Sequence, residues 1–215
     1  MDFQLLAAQL RQPHGEMGKK VGESMNASNE LINNQAIAAL NIKPNDTILE
    51  IGMGNGFFCK NVLQAADGVT YTGCDFSELM IVEASKLNEH FVSAQQAIFI
   101  LGNAEELPFE SSYFHSVFTV NTIYFWEDPD KVLTEIHRVL KPAGRLVIGL
   151  RTRASMQNLP FTQYGFTSYD EKELHELLTR NNFTNIQVQQ FDEPEGNFNG
   201  QVLKIENLIV RGEKL

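Results

Sequence analysis

The sequence is poor in cysteine and short of positive charge. Its two cysteines, Cys59 and Cys74, form no CxxC pair, which excludes a zinc ribbon or a thioredoxin-type redox centre. Each lies in an apolar segment and reads as a buried free thiol in a reducing compartment. Lys and Arg number 17 against 27 Asp and Glu, a net charge of −10. That balance argues against a nonspecific grip on nucleic acid, which needs cations along phosphates, although Arg11, Lys19 and Lys20 leave a weak basic patch near the N-terminus. No run approaches the ~18–20 apolar residues of a membrane span. The opening "MDFQLLAAQLRQP" lacks the basic and apolar regions of a signal peptide, so the expected location is cytoplasmic. His, Asp and Glu nowhere cluster at ligand spacing, and no metal is expected.

What is present suits one α/β domain with a small appendage: 215 residues, 43% hydrophobic and 20% charged, enough to bury a sizeable core. Residues 1–43 read as a helical arm separate from the core, with Met17, Val21, Met25, Ile32 and Ala36 at roughly helical spacing and a break at "QPHGEMG". From residue 44 to 215 strands and helices alternate. "TILEIG", "VTYTGCD", "AIFILG", "HSVFTVN" and "RLVIGLR" read as strands. "GFFCKNVLQAA" and "SELMIVEASKLNEHF" read as helices, the second with Met80, Ala84, Leu87 and Phe91 on one face. Asp128 caps a helix with Pro129 in its first position and an apolar stripe of Val132, Leu133, Ile136, Val139 and Leu140, which "KPAG" stops. Residues 152–167 read as irregular. Ser168 and Glu171 form a capping box for a helix bearing Leu174, Leu177 and Leu178. "NIQVQQF" and "QVLKIENLIV", joined by the turn-rich "DEPEGNFNG", read as an antiparallel hairpin. The expected fold is a doubly wound, Rossmann-like, seven-stranded and mostly parallel sheet with one antiparallel C-terminal hairpin strand, plus the N-terminal arm.

In such a sheet a ligand binds beyond the carboxyl ends of the strands, next to the first. There stands "ILEIGMGNGFF", with Gly52, Gly54 and Gly56 behind Glu50. Glycines permit positive φ and close approach of a ligand, and the following helix directs N–H groups at the site. Asp75 ends the second strand, 19 residues beyond Gly56, where a carboxylate accepts from both hydroxyls of a ribose. The pair reads as a site for a nucleoside-containing cofactor, either a dinucleotide or S-adenosylmethionine. The dinucleotide fingerprint is GxGxxG, whereas the spacing here is GxGxG. Glu50 would repel a pyrophosphate and attract the ammonium and sulfonium of a methionine moiety.

With these motifs the chain resembles the class I S-adenosylmethionine-dependent methyltransferases, within them the small-molecule group similar to the ubiquinone/menaquinone-type enzymes. "ILEIGMGNG", "GCDFSELMI", "GNAEELPF" and "FHSVFTVNTIYFWEDPDKVLTEIHRVLKPAGRLVIG" match in order across residues 44–150. The resemblance implies transfer of a methyl group to an O, N or C nucleophile of a small molecule. It implies Phe76, Asn103 and Ala104 around the adenine, with Asn103 standing where the family usually has Asp and accepting through its carbonyl oxygen. It also implies that the loop after the fourth strand, Asn121, Tyr124, Phe125 and Trp126, borders the methyl group, with Asn121 on the cofactor. "PHGEMGKKVGESMNASNE" is similar to a Pro-x-Gly-x-x-Gly arm that precedes the core in a subset of these enzymes, which suggests a lid.

In-line methyl transfer chiefly needs alignment and exclusion of water, so no strong catalytic signature is expected. Tyr124 and His14 are the candidate catalytic residues. Tyr124, Trp126, Arg151 and Tyr164 are the candidate acceptor contacts, with Gln157 and Phe166 beside them. His115 and His137 read as structural. The expected partner is a small-molecule acceptor, with no nucleic acid; a homodimer is compatible with the sequence. The rival readings are an NAD(P)-dependent oxidoreductase and a non-catalytic adenosyl-ligand-binding module.

Overall fold

The computed structural model describes residues 2–193, 196–198 and 201–215. Seven strands form one sheet: β1 (Thr47–Ile51), β2 (Thr70–Asp75), β3 (Ala97–Leu101), β4 (Phe114–Val120), β5 (Leu140–Arg151), β6 (Phe183–Asp192) and β9 (Glu206–Lys214), in the order β3-β2-β1-β4-β5-β9-β6. β9 runs opposite to the other six strands. The short pair β7 (Gly196–Phe198) and β8 (Gln201–Leu203) lies between β6 and β9 in sequence. The turn-rich linker therefore carries a small hairpin of its own, and its residues 194–195 and 199–200 lie outside the described residues.

Alternation along the strands divides the core in two. Leu49, Ile51, Leu146 and Ile148 face one side, with Val132, Leu133, Ile136 and Val139 of α7 (Pro129–Val139) and Leu174, Leu177 and Leu178 of α9 (Glu171–Arg180). Ile48, Tyr71, Phe118 and Val147 face the other, with α3 (Glu30–Leu40), α4 (Cys59–Leu63) and α5 (Glu78–Leu87). Ile32, Ala36 and Leu40 of α3 have no exposed surface. The expected arm separate from the core is corrected here: α3 is a covering layer of the sheet, because its apolar face meets β4, β5 and β9. α1 (Phe3–Arg11) packs Ala7 into the first side of the core, and α2 (Gly15–Ser28) lies against α5. Gly15 begins α2 at φ +60°, and a Cβ at Gly18 would lie 2.7 Å from the Pro13 carbonyl carbon, so the Pro-x-Gly-x-x-Gly run makes a tight α1–α2 corner.

Several boundaries move. Asp128 caps α7 as expected, accepting from Lys131 N–H. The helix after β1 shrinks to the five residues of α4. The helix after β2 breaks at Asn88 into α5 and α6 (Glu89–Ser93), and Leu87 is exposed. Asn88 donates from Nδ2 to the carbonyls of both Gly56 and Ala84, so a buried polar tie replaces continuous helix. The helix before residues 141–144 ends at Val139, and β5, which begins at Leu140, takes those residues up as a bulge against β4. Residues 152–167 include α8 (Arg153–Gln157) and a 3-10 turn, Pro160–Gln163. The capping box of α9 is Asp170 with Glu173, rather than Ser168 with Glu171.

Candidate functional site

A cavity of about 300 Å³ opens where β1 and β4, adjacent in the sheet, send their following segments to opposite faces. Glu50, Gly52, Gly54, Asp75, Phe76, Asn103, Ala104, Asn121 and Trp126 all line it, so the sequence candidates for cofactor binding converge, apart from Gly56. The three glycines differ in purpose. All have φ near +60 to +70°, but a Cβ on Gly52 would come within 2.3 Å of Thr122 Cγ2, while one on Gly56 would press on Ala84, Asn88 and Phe99 at 3.0 Å. Gly54 has nothing within 4 Å of a Cβ. Its missing side chain is cavity space.

Glu50 is 3% exposed. It stands opposite Gly73 in the β1–β2 register, and Tyr71, two residues before that glycine, donates its hydroxyl to Glu50 Oε2 at 2.6 Å. Burial pushes the Glu50 carboxyl up to about 7; the Tyr71 bond opposes the rise and the Asp75 charge adds to it. Tyr71 itself is raised by burial and by Glu50. Asp75, 6% exposed, accepts from Gly54 N–H at 3.0 Å and Ser77 N–H at 2.9 Å. Burial lifts it to about 6 against those N–H bonds. Two buried carboxyls near neutrality facing one cavity fit a ligand with cationic groups and hydroxyls. Together with the space at Gly54, they fit an adenosyl-amino-acid molecule.

Asn103 is exposed, and its Oδ1 accepts from Glu105 N–H at 3.0 Å. It shapes its own loop with the oxygen that the sequence reading reserved for the ligand.

The candidates for chemistry are redistributed. Tyr124 is corrected: it does not line the cavity and is 3% exposed. Its hydroxyl accepts from Arg151 N–H at 2.5 Å and donates to Asn121 Oδ1 at 2.9 Å, and burial raises its pKa, so it keeps its proton. His14 is also outside the cavity, exposed at the α1–α2 corner beside Gln9 and the Gln12 carbonyl. Arg151, Tyr164, Gln157 and Phe166 do not line it either. Arg151 reaches Ser28 O at 3.1 Å and Glu193 at 3.7 Å. Tyr164 and Gln157 face outward. Phe166 packs on Phe125 and Tyr124 as a bed beneath the loop. Trp126 and Phe125 do reach the cavity. His115 bonds Thr47 N–H, and His137 stacks edge-on against Phe183, both structural as expected. Cys59 and Cys74 are buried free thiols, and burial pushes Cys74 up to about 12.

The resemblance suggests a lid; what sequence reasoning missed are the contacts that hold it. Leu10, Arg11, Pro13, Gly22, Met25 and Asn29 bring α1, α2 and their junctions over the cavity. Arg11 meets Glu127 at 2.5 Å, Ser77 Oγ donates to Pro13 O at 2.6 Å, and Lys19 lies 3.3 Å from Glu83. Such contacts join residues far apart in sequence and leave no local pattern. Among the described residues there is no cluster of metal ligands and no helix long and apolar enough to cross a membrane.

A family model described as a methyltransferase domain matches residues 49–148. The chain is 33% identical over 132 residues to the uncharacterized methyltransferase YdaC of Bacillus subtilis (strain 168), covering 61% of this chain and 71% of that one. It is 30% identical over 128 residues to the ubiquinone/menaquinone biosynthesis C-methyltransferase UbiE of Cereibacter sphaeroides (strain ATCC 17029 / ATH 2.4.9), covering 59% and 50%. Among solved structures, the putative methyltransferase in complex with the Haloferax volcanii Trm112 methyltransferase activator superposes with a TM-score of 0.76 at 18% identity, covering 99% of this chain and 97% of that one.

Proposed function

Because the chain belongs to the class I S-adenosylmethionine-dependent methyltransferases, we propose that its cavity aligns that cofactor with a small-molecule acceptor for in-line methyl transfer to an O, N or C nucleophile. The observation that carries this reading is the meeting of Glu50 and Asp75 in one cavity around a glycine turn with space at Gly54. When bound, the cofactor supplies a methyl group activated by its sulfonium. Glu50 attracts the cationic amino-acid end. Asp75, its oxygens preset by Gly54 and Ser77 N–H groups, accepts from the ribose hydroxyls. Phe76 and Ala104 flank the adenine, and Asn103 holds the loop that carries Ala104. Phe125 and Trp126 present aromatic faces to a cationic centre, a favourable cation–π arrangement. The α1–α2 cover excludes water, so that attack is not lost to hydrolysis.

Among the described residues no histidine lines the cavity. The acceptor atom is one that carries its lone pair at neutral pH or loses its proton to solvent or to a cavity carboxylate. This fits the resemblance to small-molecule enzymes better than a reaction needing a strong base.

Titration calorimetry with S-adenosylmethionine, S-adenosylhomocysteine and NAD tests the reading. Micromolar binding of the two adenosyl amino acids and none of NAD is the expected result. A folded protein that binds NAD and neither of the others would sink it.

A further inference from the structure

The cavity contains an amide pair that the cofactor motifs leave unused. Asn29, at the α2–α3 junction, is 9% exposed, and Asn33, one turn into α3, is 4% exposed; both line the cavity. Hydrogen-bond polarity fixes which way each amide faces. Arg151 N–H donates to the Tyr124 hydroxyl oxygen at 2.5 Å, which turns the hydroxyl proton toward Asn121 Oδ1 at 2.9 Å, a better acceptor than the Arg151 carbonyl at 3.5 Å. With its oxygen engaged, Asn121 offers Nδ2 to Asn29 Oδ1 at 3.1 Å. Asn29 is left with Nδ2, for which no acceptor exists among the described residues and which is not sealed from the cavity. Asn33 spends its Nδ2 on the Asn29 carbonyl at 2.9 Å, and its Oδ1 likewise has no protein donor and is not sealed. Residues four apart are neighbours on a helix. The cavity thus receives one fixed N–H donor and one fixed C=O acceptor, side by side.

A zwitterionic amino-acid end needs just such a pair, with a donor for its carboxylate and an acceptor for its ammonium. The glycine N–H groups of the turn do not supply the donor. Gly52 N–H goes to Cys74 O, Gly54 N–H to Asp75 and Gly56 N–H to Met53 O. Arg11, the cation among the described lining residues, is paired with Glu127. We infer that Asn29 and Asn33 clamp the α-carboxylate and α-ammonium of the cofactor's amino-acid end, and that Tyr124 is the positioning residue that sets the polarity of the clamp. The inference rests on the cofactor reading above and assigns residues of α2–α3 and of the loop after β4 that this reading leaves without a role.

The test compares S-adenosylhomocysteine with 5′-methylthioadenosine, which keeps the nucleoside and lacks the amino-acid end. In the wild-type protein the first should bind far more tightly. Asn29→Asp keeps the acceptor for Asn121 and sets a carboxylate against the ligand's carboxylate. It should cost S-adenosylhomocysteine about 100-fold in affinity and leave 5′-methylthioadenosine within about threefold. Tyr124→Phe lies outside the cavity and removes the polarising proton together with the acceptor of Arg151 N–H. It should lower S-adenosylhomocysteine binding about fivefold to tenfold, again without moving the truncated ligand, and it serves if Asn29→Asp does not fold. Equal losses for both ligands would mean a merely structural role, and an unchanged ratio would place the pair away from the amino-acid end; either overturns the clamp. Failure of the wild-type protein to bind either ligand would overturn the cofactor reading and the clamp with it.

Discussion

The cavity has two unlike walls. The wall from β1 to β3 is made by neighbours in sequence: Glu50 and the glycines lie within seven residues, and Asp75 closes the set from the adjacent strand. The opposite wall is made by residues that meet only on folding, such as Asn29 with Asn121 and Arg11 with Glu127. The first wall carries buried carboxyls raised to about 7 and about 6. The second carries neutral amides, aromatic rings and one exposed ion pair. A charged, preset wall suits a constant cofactor. A neutral, assembled wall suits closing over it and admitting an acceptor.

The largest effect should come from striking the first wall at its turn. Gly52→Ala meets Thr122 at a positive φ, and both walls lose their seat, since Thr122 belongs to the loop after β4. A loss of roughly 3–5 kcal/mol is expected, seen as a lowered denaturant midpoint. Gly54→Ala makes the contrast. It has room, so it should fold at a cost of about 1–2 kcal/mol and still lose adenosyl-ligand binding, because its methyl enters the cavity. A Gly54→Ala protein with unchanged affinity would remove that turn from the site.

Next comes the charge difference between the walls. Glu50 titrates near 4.5 when unfolded and about 7 when folded, so between these values the native state holds the extra proton. Its contribution to stability is therefore present at low pH and lost as pH rises from about 4.5 to 7. Glu50→Gln should remove that loss and be more stable than wild type at pH 8 by up to about 3 kcal/mol, yet bind S-adenosylmethionine worse. Binding of the cationic ligand favours the ionised acid, so wild-type affinity should climb through about pH 6 to 7 and then level. A flat affinity between pH 5.5 and 8 would sever Glu50 from the ligand's cationic end.

Asp75→Ala should weaken S-adenosylhomocysteine by about 10- to 100-fold, the range for losing a charged hydrogen-bond acceptor. Calorimetry on the folded variant reads this directly. The smallest effect belongs to the second wall's rim. Arg11 and Glu127 are both exposed, and Arg11→Ala should change stability by less than about 1 kcal/mol. If the α1–α2 cover moves to admit ligand, ligand dissociation should quicken by a few-fold and the effect should fade at high salt.

Much of the first wall was legible because its signals are local. Glycines behind a strand, an acid at the end of the next strand and a capped α7 each follow from residues within a few positions of one another. The errors share a cause. Tyr124 looked available for chemistry because a tyrosine in a loop is polar, but Arg151 N–H and Asn121 consume its hydroxyl. Leu87 fitted a helical stripe, but Asn88 spends its amide on Gly56 and ends the helix. Ser168 and Glu171 matched a capping box, but Asp170 and Glu173 form it and also meet Arg153. α3 carried an apolar face in sequence, yet nothing local said that β4, β5 and β9 would cover it.

The strands of the parallel core, the bare turn and the two acids near it follow from the chain's own pattern, because periodicity and backbone sterics act over a few residues. Which asparagine faces the cavity with its N–H, and which tyrosine is sealed behind it, was decided by the tertiary structure alone. A hydrogen bond has a direction, and that direction is set by partners from distant segments that only folding brings within 3 Å.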